Sequence, residues 1–206
     1  MGFYDEYILP HFLNCACGSK PILYQREKVV PMAEGLVLEV GIGSGLNIPF
    51  YDSAKVDKVL GLDPSSELNE LAAKVASTHD VPVEFILSGA EDIPLPDHHV
   101  DTVLITYTLC TIPDVAAANK EILRVLKPGG VMIFCEHGVA PDVNVSKWQS
   151  RINPLWSKLA GGCNLNRDIP ALITDAGFSI ESMQEMYLPS TPKIAGYNYW
   201  GTAVAW

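Results

Sequence analysis

The sequence has no long hydrophobic run, no cluster of basic residues and no CxxC pair. No segment approaches the roughly 20 apolar residues that a membrane-spanning helix needs. Lys and Arg number 14 against 24 Asp and Glu, a formal net charge of −10. A surface of that sign repels phosphate backbones and anionic headgroups, so no nucleic-acid partner is expected and membrane association is peripheral at most. The opening stretch, MGFYDEYILPHFLNCACG, carries an early acidic pair and no basic region, unlike a signal peptide. Its residues Ile8, Leu9, Phe12 and Leu13 fit a short helix packed on its own domain. Gly2 is not followed by the Ser or Thr of a myristoylation signal. The five cysteines, Cys15, Cys17, Cys110, Cys135 and Cys163, are odd in number and scattered, as suits reduced thiols in a cytoplasmic protein. Cys15-Ala-Cys17 lacks zinc-site spacing and a second pair, so no metal is expected.

What is present is a core. With 206 residues, 48% of them hydrophobic, the chain is sized for one domain. Short apolar runs alternate with helical patterns from Leu36 onward. Candidate strands are Leu36–Val40, Val59–Leu62, Val83–Leu87, Val100–Thr106 and Val131–Glu136, near-continuous in hydrophobicity as in strands covered on both faces. SSELNELAAKVAS places Leu68, Leu71, Ala72 and Val75 on one stripe behind a Ser65 or Ser66 cap. DVAAANKEILRVLKPGG repeats the pattern from Asp114 and stops at Pro128-Gly129-Gly130. Strand, helix, strand at this pitch predicts right-handed crossovers and a doubly wound, mostly parallel α/β sheet of Rossmann-like type. A further helix over Lys20–Met32 covers the sheet edge. Residues 145–167 read as helix, loop and helix interrupted at Pro154, and DIPALITDAGF as a short helix closed at Gly177. Strands near Ser179–Tyr187 and Ala195–Val204 bring the sheet to seven.

The turn LVLEVGIGSGLNIPF follows the first strand. In a doubly wound sheet that turn faces the ligand crevice, and glycines there admit a close backbone approach. A dinucleotide fingerprint, GxGxxG, needs a third glycine where this chain has Leu46, and a P-loop needs GK[ST], which is absent. The glycines stand instead at Gly41, Gly43 and Gly45, with Glu39 just before them, a charge that opposes a diphosphate and favours a cation. Asp63 ends the second strand in KVLGLDPSS, 18 residues past Gly45, where a carboxylate can accept from both hydroxyls of a ribose. As the cap before Pro64 it has a purely structural alternative.

The series LEVGIGSG, GLDPS, GAEDIPLPDHHVDTV and EILRVLKPGGVMIFCEH resembles the motifs of class I S-adenosylmethionine-dependent methyltransferases, in order and at family spacing, from Leu36 to Glu136. The resemblance implies one domain whose residues 36–137 bind S-adenosylmethionine, with residues 1–35 as a helical cover and 138–206 as acceptor-side cover and final strands, the last antiparallel. It implies that Glu39, Gly41 and Gly43 meet the methionine end of the donor, with Gly45 completing the turn. Asp63, followed by Pro64, would take the ribose; Ala90 and Glu91 would flank the adenine; the backbone of Thr106 would touch the ligand. Asp101 is architectural in the family. A donor with a sulfonium and an ammonium suits an acidic cradle without a metal.

EHGVAP, WQSRINPLWSKLAGGCNLNRDI and the Leu109-Cys110 pair narrow the likeness to a subgroup with thiol S-methyltransferases and bacterial phosphatidylethanolamine N-methyltransferase-like proteins. Animal members have a hydrophobic N-terminal anchor; the stretch here is shorter. The implied acceptor is a small molecule, thiol sulfur first and amine or lipid nitrogen second. His137, at the end of the fifth strand, is the candidate base, since an imidazole titrates near neutrality; it has the alternative of a hydrogen bond that orients its loop. Glu136 would orient it or bind a cationic acceptor. Trp148, Trp156 and Asn164 would line the acceptor site, or simply pack a covering helix. Cys110 and Cys163 read as small buried hydrophobes, and His98 and His99 as solvated turn residues. Two rivals remain: a nicotinamide-dependent oxidoreductase, which titration with reduced nicotinamide cofactor would reveal, and a donor-binding protein without turnover, which labelled donor with an acceptor panel would separate.

Overall fold

A computed structural model describes residues 17–205. The predicted helix near Ile8–Leu13, Gly2 and Cys15 lie outside the described residues. The helices are α1 (Lys20–Val29), α2 (Ser66–Ala76), α3 (Val115–Val125), α4 (Val143–Leu159) and α5 (Ile169–Thr174). The strands are β1 (Gly35–Val40), β2 (Val56–Leu62), β3 (Val83–Ile86), β4 (Val100–Thr106), β5 (Leu126–His137), β6 (Phe178–Tyr187) and β7 (Tyr197–Ala205). They form one seven-stranded sheet in the order β3-β2-β1-β4-β5-β7-β6. Pairings are parallel from β3 through β5, and β7 runs antiparallel to both neighbours.

Both faces are apolar, so successive strand residues divide between two cores. Val37, Val59, Leu104, Ile133 and Cys135 meet Val29 and Val30 at the end of α1. Leu38, Leu60, Val103, Ile105, Met132 and Phe134 face the other way, onto Ile122 and Val125 of α3 and Ile169 and Ile173 of α5. Fully burying each such side chain contributes about 1.5–3 kcal/mol. Helix starts follow local chemistry: Ser65 accepts from the Leu68 amide and Asp114 from the Ala117 amide, each satisfying a donor that the first helical turn leaves open.

Two expectations need correction. The 145–167 stretch does not break at Pro154; α4 starts two residues earlier, at Val143, and runs continuously through it. Pro154 lacks the N–H that would bond the Ser150 carbonyl one turn earlier, but Ser150 is exposed, so water can take that acceptor. Gly129 and Gly130 do not end a helix either, because α3 stops at Val125 and the chain is already extended at Leu126.

β1 occupies the middle of the sheet. From it the chain builds outward to β2 and β3, then returns to place β4 on the other side. The crevice beyond the carboxyl ends of β1 and β4 is therefore the topological switch point, where ligands of such sheets bind.

Candidate active site

The glycine turn leaves β1 with Gly41 at φ +74° and Gly43 at φ +55°, left-handed conformations that a side chain would strain. The two have different surroundings. A Cβ on Gly41 would sit 2.4 Å from Thr108 Oγ1, so the loop after β4 packs directly on the turn. A Cβ on Gly43 would meet only the Gly41 carbonyl oxygen, at 3.9 Å, so Gly43 faces open space. Gly45 turns inward: a Cβ there would lie 2.8 Å from Ile48 Cδ1 and 3.1 Å from Ala72 Cα. The third glycine, expected at the ligand, is required by packing against α2.

Asp63 locks the turn to β2. One carboxylate oxygen accepts from the Gly43 amide at 3.0 Å and the other from the Ser65 amide at 2.9 Å. Burial raises its pKa, and these two bonds oppose that shift. Pro64 beside it is exposed, Ala90 is buried, and Glu91 accepts from the Asp114 amide at 3.3 Å.

Beneath the turn lies a polar network that the sequence did not announce. Glu39 is 1% exposed, and each of its oxygens is engaged: Asn47 Nδ2 donates at 2.8 Å and the Tyr51 hydroxyl at 2.7 Å. Arg26, from α1, donates to Asn47 Oδ1 at 2.7 Å and to Thr106 Oγ1 at 2.6 Å, and Asn47 donates to the same hydroxyl at 2.9 Å. Burial pushes the Glu39 pKa up to about 7, against the hydrogen bond of Tyr51 and the charge of Arg26. Glu39 therefore braces the turn from below through Asn47 and Tyr51. A polar Asn just after the glycines was the one available signal; Arg26 and Tyr51 gave none.

At the acceptor side, Glu136 and His137 divide. Adjacent strand residues point to opposite faces. Glu136 is fully buried, its Oε1 accepting from the Thr108 and Leu109 amides at 2.6 and 3.0 Å, while Oε2 has no partner. Burial raises its pKa to about 7, against those amide bonds. It organises the loop after β4, and no hydrogen bond joins it to His137. His137 Nε2 lies 3.2 Å from Cys163 Sγ, and Nδ1 is buried without a partner. Burial disfavours the imidazolium, yet the hydrogen bond and charge of the Cys163 thiol leave the His137 pKa above its usual value.

Cys163 is consequently more than a packed hydrophobe. Cys110, His137 and Cys163 gather their ligand-type atoms within 4.8 Å of one another. Two loops and the end of β5 converge to do this. Asn164 fastens two of them, its amide and Nδ2 donating to the Cys110 carbonyl at 2.9 and 3.1 Å. Gly138 admits the third, since a Cβ there would lie 2.6 Å from the Arg167 carbonyl oxygen. Arg167 donates to the Leu109 and Ile112 carbonyls in the Cys110 loop.

The predicted aromatic lining is only partly in position. Trp156 is half-buried with an unpartnered Nε1. Trp148 is 56% exposed on the outer side of α4, beside Arg151, while the next residue, Gln149, turns inward to the Gly138 and Ile194 carbonyls. One helical position, a rotation of about 100°, separates the two outcomes. His98 and His99 sit in the turn before β4, His98 with Nδ1 3.1 Å from the Leu126 carbonyl. Among the described residues no helix is long and apolar enough to cross a membrane.

Open space over Gly43 and an oriented carboxylate at Asp63 fit an adenosyl ligand laid across the turn. Comparisons with known proteins agree. Residues 38–134 match the family model described as a methyltransferase domain. Human thiol S-methyltransferase TMT1A is 31% identical over 179 residues, 84% of this chain and 72% of that protein. A phosphatidylethanolamine N-methyltransferase of Cereibacter sphaeroides is 33% identical over 105 residues, 50% of this chain and 51% of that protein. Among solved structures, an S-adenosylmethionine-dependent methyltransferase of Thermotoga maritima, described as a possible histamine N-methyltransferase, superposes with a TM-score of 0.64 at 21% identity, over 98% of this chain and 93% of that one. The chain belongs to the class I S-adenosylmethionine-dependent methyltransferases, as a member of the methyltransferase-domain family.

Proposed function

We propose that this enzyme transfers the methyl group of S-adenosylmethionine to the sulfur of a small thiol, bound in the crevice between the turn after β1 and the Cys110, His137 and Cys163 loops. The observation that carries this reading is the reach of the likeness. The thiol S-methyltransferase match takes in 84% of the chain, well beyond residues 38–134, and so includes acceptor-side residues. The phosphatidylethanolamine N-methyltransferase match takes in 50%, little more than the length of the 38–134 domain match.

The donor, when bound, supplies a methyl carbon activated on a sulfonium. The chain's share is to hold and to exclude. In this reading Gly41 and Gly43 let the backbone approach the methionine end, Asp63 accepts from the ribose hydroxyls, Ala90 and Glu91 flank the adenine, and the Thr106 backbone closes the ligand's inner side. Collinear placement of nucleophile and methyl group in a site closed to water accounts for roughly 7–11 kcal/mol of barrier lowering in favourable cases. A neutral thiol is a poor nucleophile, and in this reading His137 Nε2, at the carboxyl end of β5, takes its proton. Trp156 and Asn164 border the acceptor on the α4 side. Cytoplasmic residence belongs to the same reading, supported by free thiols at Cys17, Cys110, Cys135 and Cys163.

Incubation with methyl-labelled donor and a mixed panel of small thiols, amines and phospholipids, read by product mass, tests it. Labelled thioethers are expected. Label on amines or lipid headgroups alone would replace the thiol by the nitrogen reading.

A further inference from the structure

The donor cradle accounts for the turn, Asp63 and the network beneath them. It leaves unexplained why two thiols from separate loops and an imidazole from a strand end are drawn together at the acceptor end of the crevice. Cys110 follows β4, His137 ends β5 and Cys163 follows α4. Their Sγ, Nε2 and Sγ atoms lie within 4.8 Å of one another, with the His137–Cys163 separation at 3.2 Å.

That size and that atom set have a specific chemical match. Zinc takes thiolate sulfur at about 2.3 Å and imidazole nitrogen at about 2.0–2.1 Å in a tetrahedral array, which spaces the ligand atoms about 3.5–3.8 Å apart. The cluster is within a few tenths of an ångström of that spacing at its tight edge. Two thiolates and one imidazole, with a fourth position left open, are one of the known ligand sets of catalytic zinc. The ligands stand on anchored backbone, not on mobile tips. Asn164 ties the Cys163 loop to the Cys110 carbonyl, and Arg167 ties it again through the Leu109 and Ile112 carbonyls. The imidazole contributes a second observation: Nε2, and not the buried and unpartnered Nδ1, is the ring nitrogen turned toward Cys163 Sγ, at 3.2 Å.

We propose that Cys110, His137 and Cys163 hold one zinc-type divalent ion at three of its four positions, and that the acceptor thiol occupies the fourth. The proposal rests on the thiol reading above and deepens it. Two protein thiolates neutralise the ion, and a third thiolate leaves one negative charge, which the positive charge of half-buried Arg167, in electrostatic range of Cys110 and Cys163, offsets. Coordination expels the acceptor's proton to solvent, so in the loaded protein His137 serves as ligand and no base is required. A lone pair of the bound sulfur then forms the new bond to the donor methyl carbon. The carbon–sulfur bond of the sulfonium breaks, and its electron pair stays on the donor sulfur as a neutral thioether. The methylated product is a neutral thioether as well, a weaker ligand than a thiolate, and leaves. An amine acceptor gains nothing comparable from a sulfur-rich ion, so the same cluster discriminates for thiols.

Cobalt(II) titration of the full chain, purified under reducing, oxygen-free conditions and stripped with chelator, tests this. One equivalent of cobalt is expected to bind with a thiolate-to-cobalt charge-transfer band and the visible bands of a four-coordinate ion, to be displaced by zinc, and to shift when a small thiol is added. Cys163→Ser and His137→Ala should lose that spectrum while still binding S-adenosylhomocysteine, which reports the fold independently. Cys17→Ser should keep it; its loss there would mean four protein ligands and a closed site, overturning the acceptor position. Absence of saturable cobalt binding by the unaltered chain, with thiols still methylated by the stripped protein, would overturn the metal and leave the thiol reading standing. Stoichiometric cobalt binding with neither a thiol-induced shift nor any thiol methylation would overturn the thiol reading and the fourth ligand together.

Discussion

The guanidinium of Arg26 donates to Thr106 Oγ1 at 2.6 Å, joining the helix before the sheet to the end of its fourth strand. Arg26 also holds Asn47, which holds Glu39, so one buried cation tensions the whole floor of the donor crevice.

Replacing that cation should therefore damage both stability and donor binding. Arg26→Met removes two hydrogen bonds from a charged donor, each worth about 1.5–3 kcal/mol. Urea unfolding is expected to show a loss of roughly 2–4 kcal/mol, and calorimetric titration a weaker S-adenosylhomocysteine affinity. Unchanged affinity would mean that the turn holds its shape without the network.

Glu39 makes the network sensitive to pH. Its pKa is raised by burial from 4.5 to about 7 in the folded chain. The folded state thus binds the proton more tightly than the unfolded one. The contribution is fully present below about pH 4.5 and is lost as pH rises through about 7. Over that window the unaltered chain should lose on the order of 3 kcal/mol relative to Glu39→Gln, at about 1.4 kcal/mol per pKa unit. Urea midpoints of the two proteins across pH 4.5–8 provide the check, and parallel curves would contradict it.

Two neighbouring glycines should respond differently to alanine. At Gly41 the new Cβ meets Thr108 at 2.4 Å in a left-handed conformation, so stability falls by about 1–3 kcal/mol along with donor affinity. At Gly43 the same conformational strain applies, but the Cβ enters open crevice. There the stability loss should stay near 1 kcal/mol while donor affinity drops at least tenfold. Paired thermal and calorimetric titrations separate the two patterns.

Gly138→Ala should act on the other substrate. Its Cβ would press the Arg167 carbonyl from 2.6 Å and shift the loop carrying Cys163 away from His137. Acceptor KM is expected to rise and kcat to fall severalfold, with donor Kd within twofold of the parent. Steady-state kinetics with a saturating donor would show the split.

The order of elements was legible because their signals are local. Val100–Thr106 was bounded correctly by its continuous apolar run, and the caps Ser65 and Asp114 by their own side-chain oxygens. Class of ligand was legible too, since the place of Gly43 and Asp63 at the switch point follows from strand order. What failed to show was the work done across the sheet. Arg26 looks like any helix arginine until β4 is laid beside α1. Cys110, His137 and Cys163 share no sequence spacing; the parallel crossover and the Gly138 approach bring them together. Pro154 misled because a missing N–H matters only where its partner carbonyl is buried, and at Ser150 it is not. Trp148 is exposed and Gln149 buried: aromaticity does not specify which side of α4 packs inward.

The central claim is that a thiol sulfur sits over the donor methyl position, between Cys110, His137 and Cys163. A crystal structure with S-adenosylhomocysteine and a small thiol measures this directly. The account predicts the thiol sulfur among those three side chains, in line with the homocysteine sulfur and the methyl carbon it once carried. A thiol bound elsewhere, or a donor product lying away from Gly43 and Asp63, would contradict it.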